Sequence, residues 1–121
     1  MHIFEIIRDN YLDKKKDPLF FFDGNKSFKW SDANFYVNKI IRILDEKNPK
    51  GIYLDNRKDF LIYCTILACY LKSIPFCPEN LDDFLKRDEN KNHFDMIFST
   101  NEKSRSSNKC FHLNLQDLQN T

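Results

Sequence analysis

Apolar side chains recur along this chain in changing rhythms, and each rhythm predicts an element. Between His2 and Leu12, Ile3, Phe4, Ile6, Ile7 and Tyr11 fall at helical intervals, which predicts a short amphipathic helix. Pro18-Leu19-Phe20-Phe21-Phe22 and Ser27-Phe28-Lys29-Trp30 flank Asp23-Gly24, so two β segments joined as a hairpin are expected. From Ser31 to Glu46 the apolar positions Ala33, Val37, Ile40, Ile41 and Leu44 lie on one stripe, which describes a helix with one buried face. Asn48-Pro49-Lys50-Gly51 ends it.

From residue 51 onward strands and helices alternate. Gly51–Asp55 predicts a strand, Asn56–Lys72 a helix, Ser73–Cys77 a strand and Leu81–Glu89 a weak helix with Leu81, Phe84 and Leu85 facing inward. Phe94–Phe98 predicts another strand, Thr100–Lys109 a loop and Cys110–Leu115 a last strand, followed by a polar, disordered tail over 116–121. Such alternation favours a parallel sheet with right-handed crossovers. The expected fold is α/β: an N-terminal helix and β-hairpin, then a mostly parallel sheet with crossover helices, all in a single domain over 1–121.

One run breaks the amphipathic rule. Phe60 to Leu71 carries a single polar side chain, Thr65. A helix apolar on one stripe packs on a sheet and shows its back to water, whereas one apolar all round needs cover on its second side. That cover is expected from the N-terminal helix and hairpin or from another protein surface.

Composition narrows the function classes. With 41% hydrophobic and 15% aromatic residues, the 121 residues can fill one domain that buries roughly two-thirds of its unfolded surface. Nineteen basic against 18 acidic residues leave a net charge of +1, so no broad field attracts nucleic acid or an anionic membrane. Lys14-Lys15-Lys16 is bracketed by Asp13 and Asp17 and reads as a solvated turn. Cys64, Cys69, Cys77 and Cys110 show no C-x-x-C spacing, and the first three lie in apolar segments, as core thiols of a reducing compartment do. His2, His93 and His112 have no ligand-like spacing, so no metal site is assigned. Met1–Phe4 is followed at once by Glu5, Arg8 and Asp9, unlike a secretory signal, and the apolar run is shorter than the ~20 residues of a membrane span. A cytoplasmic location is expected.

Residues 20–80 resemble the opening of the adenylate-forming superfamily of acyl-CoA synthetases, peptide-synthetase adenylation domains and luciferase-like ligases. In that family a hairpin runs into a helix through a pattern like L-T-Y-x-E-L-N-x-x-V-N. Here Phe28-Lys29-Trp30-Ser31-Asp32-Ala33-Asn34 leads to Val37-Asn38 and Ile41. A strand ending in L-x-N-s-x-E-F is matched by Ile52-Tyr53-Leu54-Asp55-Asn56-Arg57-Lys58-Asp59-Phe60. The family's L-K-A-G-A-x-Y-V-P-L-D is matched by Tyr70-Leu71-Lys72-Ser73-Ile74-Pro75-Phe76-Cys77-Pro78-Glu79-Asn80. Asp95-Met96-Ile97-Phe98-Ser99-Thr100 resembles its next core strand. Two departures are structural. Ser73 stands where the family has a glycine suited to a left-handed cap, and Lys29 stands where it has a helix-capping threonine.

The resemblance implies a fold and an absence. In the family, a Ser/Thr/Gly-rich loop ending in P-K-G grips the ATP phosphates. Only Gly24 and Gly51 occur here, and the Ser-rich stretch 104–109 lacks glycine and reads as a solvated loop. The magnesium-binding Glu and catalytic Lys of the family have no counterpart. The resemblance therefore implies the N-terminal subdomain of an ATP-dependent carboxylate-activating ligase, a truncated product or one part of a split enzyme. ATP and Mg would serve the complete enzyme, none is expected on this chain alone, and no catalytic, cofactor-binding or metal residue is assigned. The partner would be a polypeptide carrying the remaining ligase domains. The alternative is an independent α/β module that self-associates or binds a protein through exposed apolar surface.

Other chemistry finds little footing. Asp82-Asp83 and Asp88-Glu89 are neighbours that splay apart on a helix. Cys77 as a nucleophile would need His93 or His112 beside it, and nothing local fixes either. The turn after the first parallel strand is Asp55-Asn56-Arg57-Lys58 rather than a glycine-rich dinucleotide loop.

Overall fold

A computed structural model describes residues 17–86, 96–107 and 110–121. The helix expected over 2–12 lies outside the described residues, as do 87–89 of the weak helix.

The chain enters as an antiparallel hairpin, β1 (Leu19–Phe22) and β2 (Ser27–Lys29). Its turn is built by Asp23, whose Oδ1 accepts from the amides of Asn25 at 2.8 Å and Lys26 at 2.6 Å, with Gly24 at φ 97°. Helix α1 (Trp30–Lys47) follows directly and buries Ala33, Tyr36, Val37, Ile40 and Leu44. Lys29 cannot accept a hydrogen bond at the head of this helix, and the remedy comes from further back. Asp17 accepts from the Ser31 amide at 2.7 Å and the Ser31 hydroxyl at 2.8 Å, while Asp32 accepts from the Lys29 amide at 2.9 Å. The Ser31 bonds hold the Asp17 carboxyl below the usual aspartate range.

The main sheet has four parallel strands in the order β4-β3-β5-β6: β3 (Ile52–Asp55), β4 (Phe76–Glu79), β5 (Met96–Ser99) and β6 (Cys110–His112). The α/β expectation holds. Alternation along each strand sorts the side chains to two faces. Ile52, Leu54 and Phe98 join one large core with α1, α2 (Phe60–Lys72) and the hairpin. Tyr53 and Ile97 face the other way, against Leu81 and Phe84 of α3 (Leu81–Leu85). Among the described residues, strand β4 is one flank of the sheet. Ile52 and Asn56 donate to the carbonyls of Pro75 and Glu79, so the nitrogens of Phe76 and Pro78 point outward.

The apolar helix α2 is the hub. Phe60 stacks on Phe28 with ring centroids 3.8 Å apart and planes 7° from parallel, and meets Phe20 and Tyr36 edge-on at 5.8 and 5.5 Å. The hairpin thus packs against the start of α2. Thr65, the one polar side chain between Phe60 and Leu71, is fully buried and donates to the Leu61 carbonyl at 2.8 Å. At its end Ser73 adopts φ 55°, ψ 39°, the left-handed conformation that glycine takes without cost.

Two expectations near the end are corrected. Residues 102–106 form a 3-10 helix within the expected loop. The tail expected to be disordered, and Leu115 expected in a strand, form helix α4 (Leu115–Gln119). Asn114 caps it by accepting from the Asp117 amide at 2.8 Å, and Leu118 is buried in the main core. Apolar anchoring to α1, not local composition, decides this segment.

Candidate functional site

In a sheet ordered β4-β3-β5-β6 the chain reverses direction between β3 and β5. Ligands of doubly wound folds bind in the crevice outside the carboxyl ends of such strands. Here the carboxyl ends at that point carry Asp55 and the loop to Asp59 after β3, and Ser99, Thr100 and Asn101 at the end of β5. Glu79, Asp55, Ser99 and His112 stand in register across the four strands, all on the α3 face.

These polar groups are engaged with one another. The Ser99 hydroxyl donates to Asp55 Oδ2 at 2.7 Å and accepts from the Asn101 amide at 3.0 Å, with Asp55 4% and Ser99 0% exposed. Asp59 caps α2, its Oδ1 accepting from the Ile62 amide at 3.0 Å, and its Oδ2 accepts from the Thr100 hydroxyl. A phosphate approaching this helix start would find the place taken by a carboxylate, with Asp55 close by in sequence.

Further along the row, Ser104 Oγ lies 2.5 Å from His112 Nδ1 and donates to the Asn101 carbonyl at 2.6 Å. One hydroxyl proton cannot serve both. With the proton on the carbonyl, Nδ1 must donate to Ser104, and in a neutral ring Nε2 is then a bare acceptor. Nε2 is buried and has no partner among the described residues. A serine against a histidine suggests a nucleophile and its base, but Ser104 is 1% exposed and a substrate cannot reach it. The pair fastens the 3-10 helix to β6.

The candidates weighed from sequence fall apart in space. Cys77 lies on β4 and His112 on β6, strands three spacings or about 14 Å apart, and His112 is two residues further along than the position in register with Cys77. His93 lies outside the described residues. Burial pushes the Cys69 thiol up to about 12 and the Cys64 thiol higher still, so both behave as inert core groups. Asp82 and Asp83 are exposed in the first turn of α3, and Asp82 pairs with Lys103 at 3.2 Å. Asp88 and Glu89 lie outside the described residues, and Ser104 of the Ser-rich stretch is turned inward.

Beside the crevice lies an open cleft of about 300 Å³, floored by Phe28, Phe60, Leu61 and Leu113 and rimmed by Asp23, Asp59, Thr100 and Asn114. Sequence reasoning missed the Asp55–Ser99 and Ser104–His112 pairs. The available signal was a polar residue closing each apolar strand. Among the described residues no group of three or more His, Cys, Asp or Glu is placed to hold a metal ion, and no helix is long and apolar enough to cross a membrane.

The chain is a doubly wound α/β domain with a hairpin-capped helix layer. It matches no protein-family model, and no curated protein is detectably similar to it.

Proposed function

We propose that this chain is the scaffold portion of an adenylate-forming ligase. It supplies the sheet and packing surface, and the phosphate loop and catalytic lysine come from residues outside it. The whole assembly would join a carboxylate to the α-phosphorus of ATP and release pyrophosphate, and no residue of this chain would touch the reacting atoms. One position carries the reading. Ser73 occupies the left-handed conformation at the place where the resembling family has glycine, in a segment that otherwise follows its helix-to-strand pattern. The succession of hairpin, helix, strand and apolar helix over the matched residues supports it as well.

The test is ATP–pyrophosphate exchange with the chain alone and mixed with a polypeptide from the same locus that bears a P-K-G loop. Exchange is expected only in the mixture, together with co-elution of the two. Exchange by the chain alone overturns the proposal, and so does failure of the two to associate. A second reading, an independent interaction module, is favoured by the exposed side chains of Leu19, Phe22, Phe35 and Leu71. A locus without ligase domains, and a chain whose mass by light scattering is a multiple of one, would support it instead.

A further inference from the structure

Separate stretches of the chain meet at the open cleft rimmed by Asp59 and Thr100. Phe28 of β2, Phe60 and Leu61 of α2, and Leu113 after β6 make its floor, an apolar seat of aromatic and aliphatic groups. The charged side chains of the lining are both acids, Asp23 from the hairpin turn and Asp59 at the head of α2. Neither forms an ion pair among the described residues. Asp59 also keeps room for a further donor. Its Oδ1 accepts from the Ile62 amide and its Oδ2 from the Thr100 hydroxyl, two of the roughly four sites a carboxylate offers.

The chain itself shows which charge this corner favours. The Lys26 ammonium lies 5.1 Å from the centroid of the Phe28 ring, the aromatic part of the floor. The amides of Lys26 and Asn25, and to a smaller degree the Lys26 ammonium, hold the Asp23 carboxyl below the usual aspartate range.

We propose that this cleft binds a small arylalkyl amine in its ammonium form. The flat apolar body rests on the floor, and the ammonium donates to the rim carboxylates. At about 300 Å³ the cleft equals roughly ten water volumes, which sets the ligand at about ten non-hydrogen atoms. An anion of the same shape meets two acids, and a neutral isostere gains the floor without the charge. The inference goes beyond the ligase reading and does not rest on it.

Phenethylamine matches that size. 2-Phenylethanol replaces its ammonium with a hydroxyl, and 3-phenylpropionate carries the opposite charge. Each is titrated into the ¹⁵N-labelled full chain and followed at the amides of Leu61, Thr100 and Asn114, all in the cleft lining. Saturable shifts are expected with phenethylamine, with about fivefold weaker affinity for the alcohol and no saturation with the acid. Asp59→Asn retains a good helix cap, so it should weaken amine binding about fivefold and leave the alcohol unchanged. If that variant does not fold, Asp23→Asn, which can still close the turn, decides by the same pattern. No saturable shift up to about 10 mM amine, or equal affinity for amine and alcohol, overturns the proposal. So do tighter binding of the acid and an amine affinity untouched in the deciding variant.

Discussion

The two faces of the parallel sheet are held by different means. On one, Ile52, Leu54 and Phe98 enter a broad aromatic and aliphatic core shared by α1, α2, α4 and the hairpin. On the other, the described cover is the short α3 with Leu81 and Phe84, and the carboxyl end of that face is polar: Asp55 on Ser99, and Ser104 on His112. The first face depends on area and shape, which tolerate small errors. The second depends on complete pairing, where one lost partner leaves a buried group stranded.

This contrast can be broken by mutation. Phe60→Ala should have the largest effect, about 3–5 kcal/mol by urea denaturation, because Phe60 touches rings from the hairpin and from α1. Phe84→Ala should cost less. Equal losses would mean the two faces are equally consolidated. Ser99→Ala should cost about 1.5–3 kcal/mol by taking the hydroxyl from a buried carboxylate. Adding Asp55→Val should recover part of that loss, and a purely additive double variant would refute the pairing argument.

Smaller effects sharpen the picture at the helix ends. Ser73→Gly should raise stability by about 1 kcal/mol, read as a higher midpoint with unchanged slope, because the left-handed site penalises a side chain. The smallest effect concerns acid. Asp17 titrates below its unfolded value of about 3.9, so its contribution is present above that pH and fades as pH falls through the lowered value. The stability difference between the wild type and Asp17→Asn should therefore shrink between pH 5 and pH 2. A difference constant across that range would show that the Ser31 bonds do not favour the carboxylate.

What was legible in the sequence was what periodicity encodes. The stripe through Ala33, Val37, Ile40 and Leu44 and the alternation after residue 51 lead to α1 and to the parallel sheet. What escaped was non-local. The α1 cap comes from Asp17, outside the helix it serves, and the five-residue α4 exists because Leu118 finds a core, not because its composition favours a helix. The Asp55–Ser99 pair joins residues from different strands, so only the register of β3 and β5 reveals it.

The proline in β4 has a consequence for solubility. With the ring nitrogen of Pro78 directed away from β3, the amide of Phe76 is the single outward donor of β4 among the described residues. Edge-to-edge pairing of sheets is weakened on that side.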